Sequence, residues 1–410
     1  MLKALVVASS LLLSPFLAAP LHAESPSVEA HAARLAGDAS RTRFVLDLTA
    51  PVEHRAFVLA DPFRVVIDLP EITFAMDAES SRSRRGLVQA FRYGKIGPGK
   101  SRIVLDLDKP ARIDQAFVLP SVDDQPTRLV LDLVGTDEAS FRKTVAARPP
   151  EAPQPPNPSP TIGQDDDRPL VVIDPGHGGI DSGAVTAGGD LEKAIVLEFA
   201  RRLAAKIEAA GRHRVLLTRS DDTFVSLQDR VKIAREAKAA LFVSIHADTL
   251  SDPFGVRGAT VYTLSDKASD ADAERYAEKE NRSDAIAGVD LVDAPDDVAD
   301  ILIDLTRRET KVFSSRFATK LVDEFKAAAT LNKNPLRSAG FRVLRAADVP
   351  SVLLELGYLS NAQDAKLMLS DEWRDRTTDA VMRAVDAFFA AREGGATAAG
   401  SSEELRSGAN

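Results

Sequence analysis

Leu170-Val-Val-Ile173 is a short apolar run, rich in β-branched residues, that breaks at once into Asp174-Pro-Gly-His-Gly-Gly179. The run has the composition of a buried strand. The glycines after it let the backbone turn sharply and let a ligand or metal come close. A histidine on a glycine turn at a strand end lies where open α/β sheets build their sites. The residues that follow keep the same rhythm. Residues 191–210 have apolar side chains at helical spacing, with Glu192 in the first turn and Gly211 as the stop. Segments 214–217, 241–245, 258–264, 341–344 and 351–354 read as strands, and 227–239 and 371–392 as helices. Alternation of this kind predicts an α/β domain over 170–392, a mixed sheet flanked by helices on both faces. Within it, 265–330 is a long, charged, mostly helical insert. The Gly/Ala/Ser-rich tail 393–410 reads as disordered.

Residues 26–140 carry a second pattern, and it repeats. Arg43-Phe-Val-Leu-Asp-Leu48 returns as Arg102-Ile-Val-Leu-Asp-Leu107. Ala56-Phe-Val-Leu59 returns as Ala116-Phe-Val-Leu119, and Arg64-Val-Val-Ile-Asp-Leu69 as Arg128-Leu-Val-Leu-Asp-Leu133. Each half offers about three short strands with apolar-in, polar-out alternation. Neither half can bury its apolar face alone, which predicts a small all-β sandwich with the two halves face to face. The duplicated pattern resembles the AMIN domain of periplasmic cell-wall amidases and secretion proteins. That resemblance implies peptidoglycan targeting, while the residues themselves leave a purely structural sandwich open. The Pro-rich stretch 146–169 reads as a semi-rigid linker between the two domains.

The compartment is set by the first residues. Lys3 precedes an apolar run broken by Pro15, and Leu21-His-Ala23 ends it in the manner of a cleavage site. Residues 1–23 read as a secretory signal peptide, which predicts a periplasmic protein with no membrane span in its mature form. The formal net charge of −9 gives no attraction for nucleic acid or an anionic membrane. The chain has no cysteine, which excludes disulfides, thiol nucleophiles and Cys-ligated metal and leaves imidazole and carboxylate as the strong ligands.

Those ligand types stand at the ends of regular elements. His177 follows the first strand, Glu192 opens the next helix, and His246 ends the strand 241–245 before Ala247-Asp248. In an open α/β sheet such ends line one crevice. Two imidazoles and a carboxylate are a donor set for catalytic zinc, which needs three protein ligands and an open position. A lone strand-end histidine is as readily structural, so spacing by itself leaves metal binding open. Glu355 ends the run Ser-Val-Leu-Leu, where a carboxylate is costly to desolvate unless paired or used. Near a zinc-bound water it can serve as general base and then general acid. Asp174 and Asp248 flank the histidines, where they could orient the imidazoles or fix turns, and turns are the favoured reading; His213, in Gly-Arg-His-Arg, reads as a solvated loop residue.

Taken together, Asp174-Pro-Gly-His-Gly-Gly179 with its continuation Asp181-Ser-Gly-Ala184, Glu192, Ser244-Ile-His-Ala-Asp248 and Val352-Leu-Leu-Glu-Leu-Gly357 resemble the zinc-dependent, type 3 family of N-acetylmuramoyl-L-alanine amidases. The resemblance implies that His177, Glu192 and His246 bind Zn²⁺ and that Glu355 is the catalytic carboxylate. It implies cleavage of the amide between the lactyl group of N-acetylmuramic acid and the L-alanine of the stem peptide, in peptidoglycan remodelling and daughter-cell separation. Family members that split daughter cells carry an insert like 265–330, whose helix plugs the zinc site until a periplasmic LytM-type activator displaces it. Glu280 is the carboxylate expected to reach the metal. The rival expectations are a zinc carboxypeptidase acting within the stem peptide and a non-catalytic peptidoglycan-binding scaffold.

Overall fold

The computed structural model of the chain describes residues 27–76, 83–147, 166–249, 256–288 and 301–407. Residues 1–26, with the expected signal peptide, and 148–165, most of the expected linker, lie outside the described residues.

The N-terminal domain is all-β, closed by one short helix. Its strands are β1 (Glu29–Gly37), β2 (Arg41–Leu48), β3 (Arg55–Leu59), β4 (Arg64–Pro70), β5 (Thr73–Phe74), β6 (Val88–Gly97), β7 (Lys100–Leu107), β8 (Ala111–Leu119) and β9 (Thr127–Gly135), followed by α1 (Glu138–Ala146). They form two sheets, in the orders β5-β1-β2-β9-β8 and β3-β4-β7-β6. The core between them is made by alternate residues of the repeated motif, among them Phe44, Leu46, Val65, Ile67, Ile103, Leu105, Leu129 and Leu131.

The sandwich differs from the predicted one in its pairing. The halves do not each form a sheet. Strand β2 of the first half pairs with β9 of the second, and β4 pairs with β7. The exchange places Arg opposite Asp along each pair, Arg43 against Asp132 and Arg64 against Asp106.

The C-terminal domain contains β10 (Leu170–Pro175), α2 (Glu192–Ala210), β11 (Arg214–Leu217), α3 (Leu227–Glu236), β12 (Leu241–His246) and β13 (Ala259–Leu264). The insert then supplies α4 (Ala271–Glu280), α5 (Ser283–Ile286) and α6 (Ile301–Ala328). The chain closes with β14 (Leu331–Ala339), β15 (Ser351–Glu355), α7 (Ala362–Met368) and α8 (Asp371–Ser407). The sheet order is β11-β10-β12-β15-β13-β14. It is parallel except where β13 meets β15, so it is the mixed sheet the alternation predicts. Successive residues of β10 point to opposite layers. Val171 and Ile173 pack with α2, α6 and α8, whereas Leu170 and Val172 pack with α3, α4 and Phe341.

Three local expectations are corrected. Residues Arg342–Leu344 form a 3₁₀ turn, not a strand, because Phe341, Val343 and Leu344 are buried against α3 and α4 rather than alternating across a sheet. The polar, Pro335-containing segment that forms β14 has no apolar alternation to announce it, and it is tolerated because it lies at the sheet edge. The closing helix continues through the expected disordered tail to Ser407, where alanines and glutamates support helix. Among the described residues no helix is long and apolar enough to cross a membrane.

Candidate metal centre and its surroundings

Strands β10, β12 and β15 run parallel and adjacent, so their C-terminal ends share one edge. His246 is paired directly with Glu355 across β12 and β15. The glycine turn leaves β10 beside them. At Gly176 a Cβ atom would lie 2.5 Å from the His246 ring, so only glycine lets the backbone pass that close. His177 itself has φ 57°, an uncommon left-handed conformation for a side-chain-bearing residue. Buried Arg230 holds it there by donating from Nη2 to the His177 carbonyl at 2.7 Å.

Glu192, the first residue of α2, is fully buried. Its Oε2 accepts from Ala184 N and its Oε1 from Ala247 N, both at 2.8 Å. That Oε1 lies 3.2 Å from His177 Nε2 and 3.3 Å from His246 Nδ1. One donor atom from each of His177, Glu192 and His246 falls within 4.8 Å of the others. His177 Nε2 and His246 Nδ1 are buried and have no hydrogen-bond partner. Buried polar atoms are otherwise almost always paired. Two bare imidazole nitrogens converging on a carboxylate therefore fit a bound metal ion, and the N,N,O donor set suits zinc.

The electrostatics agree. Burial lowers the His177 pKa, but Asp181, Glu192 and Glu280 outweigh it and raise it well above the ordinary value. Burial raises Glu192, yet the two imidazoles hold it well below the usual carboxylate range. Carboxylates crowded around two imidazoles call for positive charge at their centre.

Glu355 is fully buried beside this cluster. Its Oε1 accepts from Asp248 N, and its Oε2 accepts from the Tyr276 hydroxyl. Burial, with the charges of Asp248 and Glu192, holds it well above the usual range against those bonds. Tyr276 comes from α4 of the insert, and the same helix face delivers Glu280. Glu280 Oε2 lies 3.3 Å from His246 Nδ1 and 3.6 Å from His177 Nε2. Burial pushes its carboxyl up to about 7 although both imidazoles pull it down. Lys279 of α4 binds the Asp248 carboxylate. Tyr276 also lines a cavity of about 280 Å³, with Tyr262, Tyr358, Arg257 and Arg337.

Sequence reasoning misjudged the surroundings of Asp174 and His213. Asp174 is no turn former: its buried carboxylate accepts from Thr218 Oγ1 and Arg230 Nη1 at 2.6 Å and from Ser244 Oγ at 2.7 Å. Asp248 binds Lys279 and also accepts from Thr249 N at 2.5 Å in its own loop. His213 is buried, with Nε2 3.0 Å from Asp386 and its ring 4.7 Å from that of Phe389. The residue that orients an imidazole is Asp181, whose Oδ2 lies 2.9 Å from His177 Nδ1. It fixes the tautomer that leaves Nε2 bare. Its signal was its place four residues after His177, within the same glycine turn. Asp181→Ala is expected to weaken metal affinity about 10- to 100-fold with little change in fold. Equilibrium titration of the metal-free protein with Zn²⁺ reads this, and unchanged affinity would remove Asp181 from the site.

A mixed sheet that gathers two imidazoles and two buried carboxylates at one edge offers the groups that could hold a metal ion, an arrangement of the kind metal-dependent hydrolases of the α/β class use. A family profile described as N-acetylmuramoyl-L-alanine amidase matches residues 171–387, and one described as the AMIN domain matches residues 32–133. The N-acetylmuramoyl-L-alanine amidase AmiC of Neisseria meningitidis serogroup B is 33% identical over 375 residues, covering 87% of this chain and 89% of its own. AmiC of Escherichia coli O6:H1 is 32% identical over 370 residues, covering 86% and 87%. Among solved structures, the amidase AmiC2 of Nostoc punctiforme covers 54% of this chain and 97% of its own at 30% identity, with a TM-score of 0.39. The chain belongs to the N-acetylmuramoyl-L-alanine amidase family.

Proposed function

We propose that the C-terminal domain hydrolyses the amide between the lactyl group of N-acetylmuramic acid and the L-alanine of the peptidoglycan stem peptide. The observation that carries this reading is the buried His177–Glu192–His246 donor set with Glu355 on the adjacent strand, in a chain of the amidase family. These three residues would hold Zn²⁺, which when bound lowers the pKa of water from about 15.7 to near 7 and polarises a carbonyl. Glu355 takes the proton of the attacking water and returns it to the leaving nitrogen of L-alanine. Asp181 keeps His177 in the ligating tautomer, and Arg230 keeps its backbone in place.

The insert is proposed to keep this site shut. In the resting chain Glu280 takes the position facing both imidazoles, and Tyr276 caps Glu355. Lys279 on Asp248 completes a three-point attachment by one helix face. Substrate cannot reach Glu355 until α4 leaves. The periplasm as the site of action, residues 1–23 as signal peptide, the AMIN-type domain as a peptidoglycan-targeting module and a LytM-type protein as the activator belong to the same reading.

Digestion of purified murein sacculi tests it, with the full chain, with Glu280→Ala and with deletion of 265–290. Chelator-sensitive release of free stem peptides from intact glycan is expected, about 10- to 100-fold faster in both variants. Such a rise corresponds to a block of about 1.4–2.8 kcal/mol. Cleavage within the stem peptide would establish a carboxypeptidase instead. Binding without any release would leave a scaffold.

A further inference from the structure

The insert does not end at the metal centre. Beyond Glu280 it continues as α5, and Ala287 and Gly288 just after that helix lie against the N-terminal domain. The surface it meets is the outer face of the β3-β4-β7-β6 sheet. On β4 and β7 the repeated motif turns one set of residues into the sandwich and leaves an Arg-Val-Asp stripe outside. The register pairs Arg64 with Asp106, Val66 with Val104 and Asp68 with Arg102. An outer stripe of this kind normally faces water, yet here Arg64 is 3% exposed, Arg102 1% and both valines 0%. The covering residues are Ile180, Phe224 and Ala287.

The two guanidinium groups are aimed at the end of α5. Arg102 Nη1 donates to the Gly288 carbonyl at 2.9 Å and the Ala287 carbonyl at 3.2 Å, while Arg64 Nη1 donates to the Ala285 carbonyl. Ala285 O also accepts from Gly288 N at 3.0 Å, so the two arginines fasten the backbone turn that follows this short helix. Asp68 holds Arg102 in place through bonds of 2.6 and 3.0 Å. Gly288, at φ 72°, lies so close to the sheet that a Cβ would stand 3.1 Å from Val66 Cγ2 and 3.3 Å from Val104 Cγ2. The opposite sheet carries the same stripe without this occupant. There Arg43, the repeat counterpart of Arg102, pairs with Asp132 at 2.7 and 2.8 Å and its side chain is 49% exposed.

We propose that the outer face of the β3-β4-β7-β6 sheet is a docking surface for the chain's own insert, and that the N-terminal domain thereby holds Glu280 in the metal centre. The block is then a two-domain device, and any partner that takes the Arg64–Arg102 face releases it. This inference rests on the reading of α4 as a block.

The test uses the full-length protein with Arg102→Ala, Gly288→Leu, Arg43→Ala and Glu280→Ala. Gly288→Leu disturbs the dock from the insert side, so it decides the matter should Arg102→Ala unfold the N-terminal domain. Two readouts are taken: the basal rate of sacculus digestion, and hydrogen exchange of 271–286 in the metal-free protein. Arg102→Ala and Gly288→Leu are each expected to raise the basal rate about 5- to 10-fold and to speed exchange in α4, with Arg43→Ala unchanged. If both dock variants leave rate and exchange unaltered while Glu280→Ala raises the rate, the docking role is wrong and the block stands. If Glu280→Ala is also silent, the block fails and the docking role falls with it.

Discussion

Glu355→Ala is expected to abolish turnover without loss of bound metal. The expected loss is on the order of 10²- to 10⁴-fold, the usual contribution of a positioned proton-transfer group. Glu355 faces His246 across paired strands, yet its own oxygens are engaged by Asp248 N and Tyr276 rather than by the histidines. It is therefore beside the donor set but outside it, and its removal leaves all three ligands untouched. The measurement is best made in the Glu280→Ala background, where the basal rate is not masked by the insert. Elemental analysis for zinc accompanies the digestion assay. Full activity in the variant would remove Glu355 from the chemistry, and loss of metal would make it a ligand instead.

Asp174→Ala is the largest expected loss of stability. The side chain is fully buried and accepts from Thr218, Ser244 and Arg230 at once. Removing it leaves the Arg230 guanidinium, itself 3% exposed, without its counter-ion. Breaking a buried pair from one side costs about 3–5 kcal/mol. For a domain of this size that lowers the melting temperature by on the order of 10 °C. The pH dependence has a definite sign. Burial raises the Asp174 pKa, but Arg230 and the two hydroxyls outweigh it, so the folded value lies below the ordinary one. A depressed carboxyl stabilises above its unfolded pKa of about 3.9, and the contribution fades as pH falls through the folded value. The gap between wild type and Asp174→Asn should therefore be full at neutral pH and close in acid. A constant gap down to pH 2 would show that shape, not charge, accounts for it. Because Arg230 also clamps the His177 carbonyl, the Asp174 variants should bind zinc more weakly as well.

The sequence announced most of this site because its residues stand at element ends, where periodicity breaks in a readable way. Glycine marks the turn, and a carboxylate inside an apolar run marks Glu355. The neighbours were harder to see. Asp174 and Asp181 bracket the same turn, and only the fold shows which one reaches an imidazole. Tyr276 is one aromatic residue on a charged helix, and its hydroxyl finds Glu355 only because α4 packs across the edge of the sheet. Strand pairing was equally hidden, since β2 meets β9 and β4 meets β7 across a long stretch of chain that alternation does not connect. One signal was present and unread. The central residue of the outward stripe is valine in all four copies, Val45, Val66, Val104 and Val130, where a solvent-facing strand would favour a polar side chain.

The interleaved sandwich bears on how the protein is made. Until residues 100–135 have emerged, β2 and β4 each lack a neighbour along one edge. Bare edges with a repeated, apolar strand motif invite pairing with another chain in the same state. Because the two halves are alike, a second molecule offers nearly the same complement as the chain's own second half. Refolding at high concentration should accordingly yield strand-exchanged dimers alongside monomers, in a proportion that grows with concentration.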